Sequence, residues 1–364
     1  MKIFYAVQAT GNGHISRARE IIPQLKKFGE VDVFLSGNNY SLKNDLPVAY
    51  RSKGISLHYD RLNGKVDLRK TMLEVNLKKV VQEALQLPIE KYDLIINDFE
   101  CITSMACKIR QIPSVHFGHQ ASFYSKHVPR PEKQSLAGEL ILKYYAHGNV
   151  NIGLHFAPYD KHIYNPIIKN EIMKAIPEDY GHITVYLGHI DDMILHRQLS
   201  KISEFKFEVF SGKIKNPYRQ GNIQFYPVNQ SLFNHSLINC TGVITGSGFE
   251  TPAEALYLQK KIMVIPMKGQ YEQLCNAAAL KGFGVYVLDN LDDQFQLNFE
   301  RWMRIQHQKK LDLTNSTEDI VSRIFEHKEG FNVKRQKALR KGAVPTHQQF
   351  RFWEQSSPQS TPTS

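Results

Sequence analysis

His14 is the first residue of this chain whose type and setting suit proton chemistry. It stands in GNGHISRA (residues 11–18), directly after the apolar run KIFYAV. An imidazole with an ordinary pKa near 6.5 can take a proton from a hydroxyl at physiological pH. Gly11 and Gly13 let the backbone bend sharply there, and the following helix offers free amides that favour an anion such as a substrate phosphate. The same letters make up two-thirds of a dinucleotide fingerprint, which needs GxGxxG and an acid at the end of the second strand. Ser16 replaces the third glycine, and the second strand ends FLSGNN, with its acid, Asp32, near the start. Both departures count against a nicotinamide or flavin cofactor.

A second constellation lies about 230 residues on, in VITGSGFETPAEALYLQKKIMVIPMKGQYEQLCNA (243–277). The turn Gly246, Ser247, Gly248 sets helix N-terminal amides against a ligand, an arrangement suited to a pyrophosphate. Glu254, about two helical turns beyond Ser247, can reach ribose hydroxyls at a cleft edge. Gln270, Glu272 and Gln273 in the following loop are side chains that hydrogen-bond sugar hydroxyls.

The elements that must carry these groups alternate. KIFYAV, VDVFLSG, DLIINDF and IPSVHFG read as strands, with helices between them such as SRAREIIPQLKKF, whose Ala18, Ile21, Ile22 and Leu25 share one face. Strand, helix, strand at this spacing implies parallel βαβ units with their chemistry at the carboxyl ends of the strands. The pattern weakens across 125–178, then restarts with HITVYLGH, FKFEVFSG, NIQFYPV, GVITGSG and KIMVIPM. Two domains are therefore expected, 1–178 and 179–330, with 291–330 as helices closing the second. Residues 331–364 form a basic tail carrying Lys334, Arg335, Lys337, Arg340, Lys341 and Arg351 before the low-complexity SSPQSTPTS.

Bulk properties narrow the function classes. The chain has 364 residues, a net charge of +11, 42% hydrophobic and 11% aromatic content. No stretch approaches the ~20 apolar residues of a membrane span, and KIFYAV is too short for a secretory leader. A cytoplasmic protein is expected, either free or peripheral on the inner membrane face. The basic excess suits phosphorylated small molecules or an anionic membrane face; no nucleic-acid module is visible. Cys101, Cys107, Cys240 and Cys275 show no CxxC pairing and read as buried free thiols. His116 and His119 form an HxxH without a completing carboxylate or cysteine, so no metal is expected.

The second constellation, with Thr251, Glu254, the loop IPMKGQYEQ and Asn276-Ala277 in order, resembles the donor half of GT-B glycosyltransferases, the MurG-like and UDP-glucuronosyltransferase-like inverting enzymes. YPVNQSLFNHSLINCTGVIT (226–245) and the opening GNGHISRA are similar to the same family. The resemblance implies an α/β GT-B fold, two Rossmann-like doubly wound domains facing across a cleft. It implies transfer of a sugar from a nucleotide-sugar donor, UDP-linked, to a sugar, lipid-linked or small-molecule acceptor, without cofactor or metal. Two glutamates seven residues apart, a mark of some retaining families, are missing: the positions eight on from Glu250 and Glu254 are Leu258 and Ile262. Inversion is therefore expected, with His14 as base.

Carried over by position, Gly246, Ser247, Gly248 and Thr251 would face the diphosphate and Glu254 the ribose. Val228 would line the base, Gly188 and His189 a phosphate, and Gln270, Glu272 and Gln273 the transferred sugar. Gly13, His116, His119 and Gln120 would line the acceptor cleft. Asp98 has two readings, orientation of the His14 imidazole or the N-cap of the helix CITSMAC, and Glu100 competes for the first. A nucleotide-sugar 2-epimerase of the same fold and a non-catalytic nucleotide-sugar-binding protein are the alternatives.

Overall fold

The computed structural model describes residues 1–37, 46–55, 59–60, 65–66, 76–326 and 331. The basic tail beyond Phe331 lies outside the described residues.

The first domain opens with β1 (Lys2–Gln8), helix α1 (Asn12–Lys26), β2 (Glu30–Ser36) and β3 (Val48–Ser52), followed by a short hairpin, β4 (Tyr59–Asp60) and β5 (Lys65–Val66). Helix α2 (Leu77–Gln86), β6 (Leu94–Asp98), α3 (Cys101–Arg110), β7 (Val115–Gly118), α4 (Leu136–Tyr144), β8 (Val150–Leu154) and β9 (Ile163–Tyr164) follow. The seven strands of its main sheet run in the order β3-β2-β1-β6-β7-β8-β9 and are all parallel. A parallel sheet covered on both faces needs strands apolar on both sides. β1 meets that demand: Ile3, Tyr5 and Val7 pack with Ile15, Ala18, Ile21, Ile22 and Leu25 of α1, while Phe4 and Ala6 face Val80, Ala84, Ile102 and Ala106 of α2 and α3.

After a short helix, α5 (Asn170–Met173), the second domain repeats the plan with β10 (His182–Tyr186), α6 (Asp192–Leu199), β11 (Lys206–Ser211), β12 (Tyr218–Gln220) and β13 (Ile223–Pro227). Then come α7 (Gln230–Asn239), β14 (Gly242–Thr245), α8 (Glu250–Tyr257), β15 (Lys261–Val264), α9 (Tyr271–Lys281) and β16 (Tyr286–Val287). The strand order is β12-β13-β11-β10-β14-β15-β16, with only β12 antiparallel to its neighbour. Its core is aromatic on one side, where Phe295, Phe299 and Trp302 of α10 (Phe295–Met303) pack with Phe207 and Phe225.

Each sheet has one point where the order reverses about its first strand: β1 between β2 and β6, β10 between β11 and β14. Connections leave such a pair toward opposite faces, so a crevice opens at the carboxyl ends. In the first domain that crevice lies between the turn after β1 and the end of β6; in the second, between Gly188 and the turn 246–248.

Two features depart from the sequence reading. The weakly patterned 125–178 segment contains β8 and β9, short strands whose helical connections are irregular. And α11 (Thr317–Phe325), read as closing the second domain, packs on α1 of the first. Its Ile320, Val321 and Ile324 are buried in the α1 core, and the rings of Phe325 and Phe28 stack at 4.0 Å.

Candidate active site

His14 occupies the first turn of α1, and β6 delivers Asp98 beside it because Val7 and Asp98 are register partners in adjacent strands. The His14 Nδ1 to Asp98 Oδ1 distance is 2.9 Å. Glu100, the rival, is committed elsewhere: its carboxylate accepts from the Ile102 and Thr103 amides at 2.9 and 2.6 Å and is the N-cap of α3. The two readings of Asp98 are thereby separated, since the cap is Glu100 and the partner of His14 is Asp98.

Arg17, one turn after His14, completes the group. Its Nη2 donates to Asp98 Oδ1 and Oδ2 at 2.7 and 2.9 Å, its Nε to Oδ2 at 3.2 Å, and its Nη1 to Glu250 of the second domain. Tyr5 contributes a hydroxyl 3.4 Å from Asp98 Oδ2. Burial pushes the Asp98 pKa up, but Arg17 and His14 overcome it and hold the carboxyl well below its usual range. Gly118, at φ +123° on the end of β7, gives the carboxylate clearance: a Cβ there would lie 2.7 Å from Asp98 Oδ1.

The facing crevice carries few side chains. A Cβ at Gly248 would meet nothing within 4 Å, one at Gly188 only the Tyr186 ring at 4.0 Å, and one at Gly246 would touch Gln273 at 3.4 Å. Protein packing therefore does not demand a glycine at 188 or 248; open space lies in front of them. The turn is braced from behind. Ser247 Oγ donates to the Gln273 carbonyl at 2.7 Å, Asn276 Nδ2 to the Ser247 carbonyl at 3.0 Å, and the Met267 amide to Gln273 Oε1 at 2.9 Å. Helix α8 begins at Glu250 with no side-chain cap. Thr251 and Val228 are half-buried in the neighbouring wall.

Several predicted site residues are placed differently. Glu254 is 2% exposed and its Oε2 lies 3.1 Å from Lys169 Nζ, so its carboxylate is engaged within the protein and does not line the open cleft. Burial raises its pKa to about 7 against the pull of Lys169. Ser247 has its hydroxyl turned inward. His116 is wholly buried on β7, with Nδ1 3.2 Å from Asn151 Oδ1, and burial lowers its pKa to about 4. His119 is buried where the domains meet, stacked on Phe249 at 4.0 Å and 2.7 Å from Asn276 Oδ1; burial lowers its pKa to about 3. Neither histidine is a cleft wall: β7 is an interior strand, so its side chains and the turn after it are covered. His189 is likewise buried, with its pKa lowered to about 4. Gln120 Nε2, by contrast, reaches Glu272 Oε2 at 3.1 Å across the domain boundary. Gln270 is half-buried, with its Oε1 unpartnered.

Arg17, Glu250 and Asn12, whose Nδ2 donates to Tyr186 OH at 3.0 Å, are contacts across the cleft that sequence reasoning missed. Only the spacing of His14 and Arg17, three apart on one helix face, signals any of it in the sequence. All four cysteines are buried and free. Among the described residues no three His, Cys, Asp or Glu side chains converge as a metal site, and no helix is long and apolar enough to cross a membrane.

Two doubly wound domains whose reversal crevices face each other define the GT-B class of glycosyltransferases. A family model described as Glycosyl transferase family 1 matches residues 1–301, and the chain belongs to that family of enzymes. Among solved structures it resembles the glycotransferase of kitacinnamycin, at 14% identity over 94% of this chain and 99% of that one, with a TM-score of 0.54. The glycosyltransferase SnogD from Streptomyces nogalater matches at 13% identity, 95% and 99% coverage and a TM-score of 0.50. Spinosyn rhamnosyltransferase SpnG matches at 15% identity, 95% and 96% coverage and 0.50. No curated protein sequence matches the chain.

Proposed function

We propose that this glycosyltransferase moves a sugar from a UDP-linked donor to an acceptor hydroxyl with inversion and without a metal. The observation that carries the proposal is the His14–Asp98 contact of 2.9 Å at one crevice, opposite an open glycine turn at the other. His14 Nδ1 lies 2.9 Å from both Asp98 Oδ1 and Arg17 Nη2. In the tautomer that donates Nδ1–H to Asp98, with the Arg17 Nη2 hydrogens given to the same carboxylate, Nε2 is left as the base. It takes the acceptor hydroxyl proton as that oxygen bonds to the anomeric carbon and the carbon–oxygen bond to the diphosphate breaks. The departing diphosphate takes its hydrogen bonds from the uncapped amides at the start of α8. Gly188, Gly246 and Gly248 make room for it, while Gln270, Glu272 and Gln273 hold the transferred sugar and Gly13 borders the acceptor. The acceptor is a sugar, a lipid-linked glycan or a small molecule, and the net charge of +11 suits contact with an anionic inner membrane face.

Thermal shift across UDP, TDP, GDP and ADP tests the donor site. UDP should stabilise the wild type, and Gly248→Leu, which fills open space, should keep the melting temperature and lose the response. No response of the wild type to any of the four would sink the donor assignment.

A further inference from the structure

Arg17 is unused by the scheme above, yet it is 3% exposed and bonded to both sides of the cleft. One edge of its guanidinium clamps Asp98 through Nε and Nη2; Nη1 holds Glu250. Glu250 is the first residue of α8, directly after the turn 246–249 on which the diphosphate reading rests. Gly13, beside His14, is the floor under this bridge, because a Cβ there would overlap the Glu250 carboxylate. That gives the second glycine of GNGH a reason in packing across the cleft.

We propose that Arg17 is a positioning residue with two tasks: it fixes Asp98 for His14, and it holds the Glu250 carboxylate off the anion-binding start of α8. The inference rests on the donor and base assignments proposed above. Glu250 carries the charge that a helix N-terminus favours and stands where a diphosphate must approach. Left unheld, it would compete with the diphosphate for the same amides and repel it. Held by Arg17, it is turned toward the first domain. A lysine could not replace Arg17, since three of its nitrogens serve two carboxylates in a planar fork. His14 accordingly sits among Asp98 on β6, Arg17 on α1, Glu250 on α8 and Glu272 on α9, with Tyr5 of β1 on the far side of Asp98.

The test is UDP affinity by calorimetry in a suppressor series. Arg17→Gln should weaken UDP about ten-fold, within the range of couplings in one charged network, although Arg17 lies in the opposite domain. Glu250→Gln alone should stay within about two-fold of wild type, and the double variant should recover to within about three-fold. A single Arg17 variant that binds UDP normally, or a double variant that fails to recover, overturns the second task. The first is read without ligand, by the ¹⁵N signals of His14 in histidine-labelled protein. Arg17→Lys and Glu250→Gln should each move them, because Arg17 Nη2 holds Asp98 beside the ring and Glu250 holds Arg17. Unmoved signals in both variants overturn it. A wild type that ignores UDP defeats the donor assignment, and the His14 signals then decide the inference by themselves. Should Arg17→Gln not fold, Arg17→Lys takes its place in the UDP series with the same expected loss.

Discussion

The two reversal crevices have the same topology and opposite furnishing. In the first domain the crevice is crowded with ionisable groups: His14, Arg17 and Asp98 within 3.2 Å contacts of one another, with Tyr5 behind. In the second it is lined by backbone, with Gly188 and Gly248 facing open space, Gly246 packed toward Gln273 and the one serine turned inward. Sheet topology sets where a ligand can sit, and the side chains placed there set what can be done to it. In the reaction proposed above a proton is moved on one side, which needs a titratable group with a fixed partner. A polyanion is received on the other, which needs amides and room.

Four measurements would break or sharpen this contrast. His14→Ala should lower turnover by ~10²-fold or more while the fold persists; retention of turnover within a few-fold removes the base from the first crevice. Asp98→Asn should cost about 3 to 5 kcal/mol near neutrality, because it strips a buried cation of its charged partner. The sign follows from its depressed pKa: stability tied to Asp98 is present above the ordinary carboxylate pKa and lost as pH falls below it. Urea unfolding should therefore show the gap between variant and wild type narrowing on acidification.

The buried carboxylate of the second domain has the opposite sign. Glu254 has its pKa raised from 4.5 to about 7, so the unfolded chain releases its proton first as pH rises through that window. Wild-type stability should decline between those values relative to Glu254→Gln, by on the order of 1 to 3 kcal/mol. A parallel pair of stability curves would mean that Lys169 keeps Glu254 ionised throughout. The smallest effect belongs to the clasp between domains. Phe325→Ala removes a ring stacked at 4.0 Å on Phe28 and should cost about 1 kcal/mol in unfolding experiments, with UDP binding unchanged.

The α/β alternation, the helical face of Ala18, Ile21, Ile22 and Leu25, and the two glycine turns were all legible in the chain, because periodicity and turn chemistry are local properties. The segment 125–178 was not, because β8 and β9 owe their place to neighbours in the sheet more than to a pattern of their own. Helix α11 has an ordinary amphipathic sequence with a capping box at Ser316 and Asp319, and nothing in it says which domain its apolar face covers.

The same division runs through the site. His14 and the turn 246–248 are conspicuous by type and setting, so the sequence alone determined the family resemblance and singled out these two stretches. Only the tertiary structure decided between Asp98 and Glu100, since both are acids at one strand end and the choice depends on the register of β6 against β1. It also withdrew His116 and His119 into the interior, engaged Glu254 with Lys169, and joined Arg17 to Glu250 across 233 residues of chain. Those pairings are long-range, and burial makes them: a charge taken out of water must find a partner wherever the fold brings one within reach.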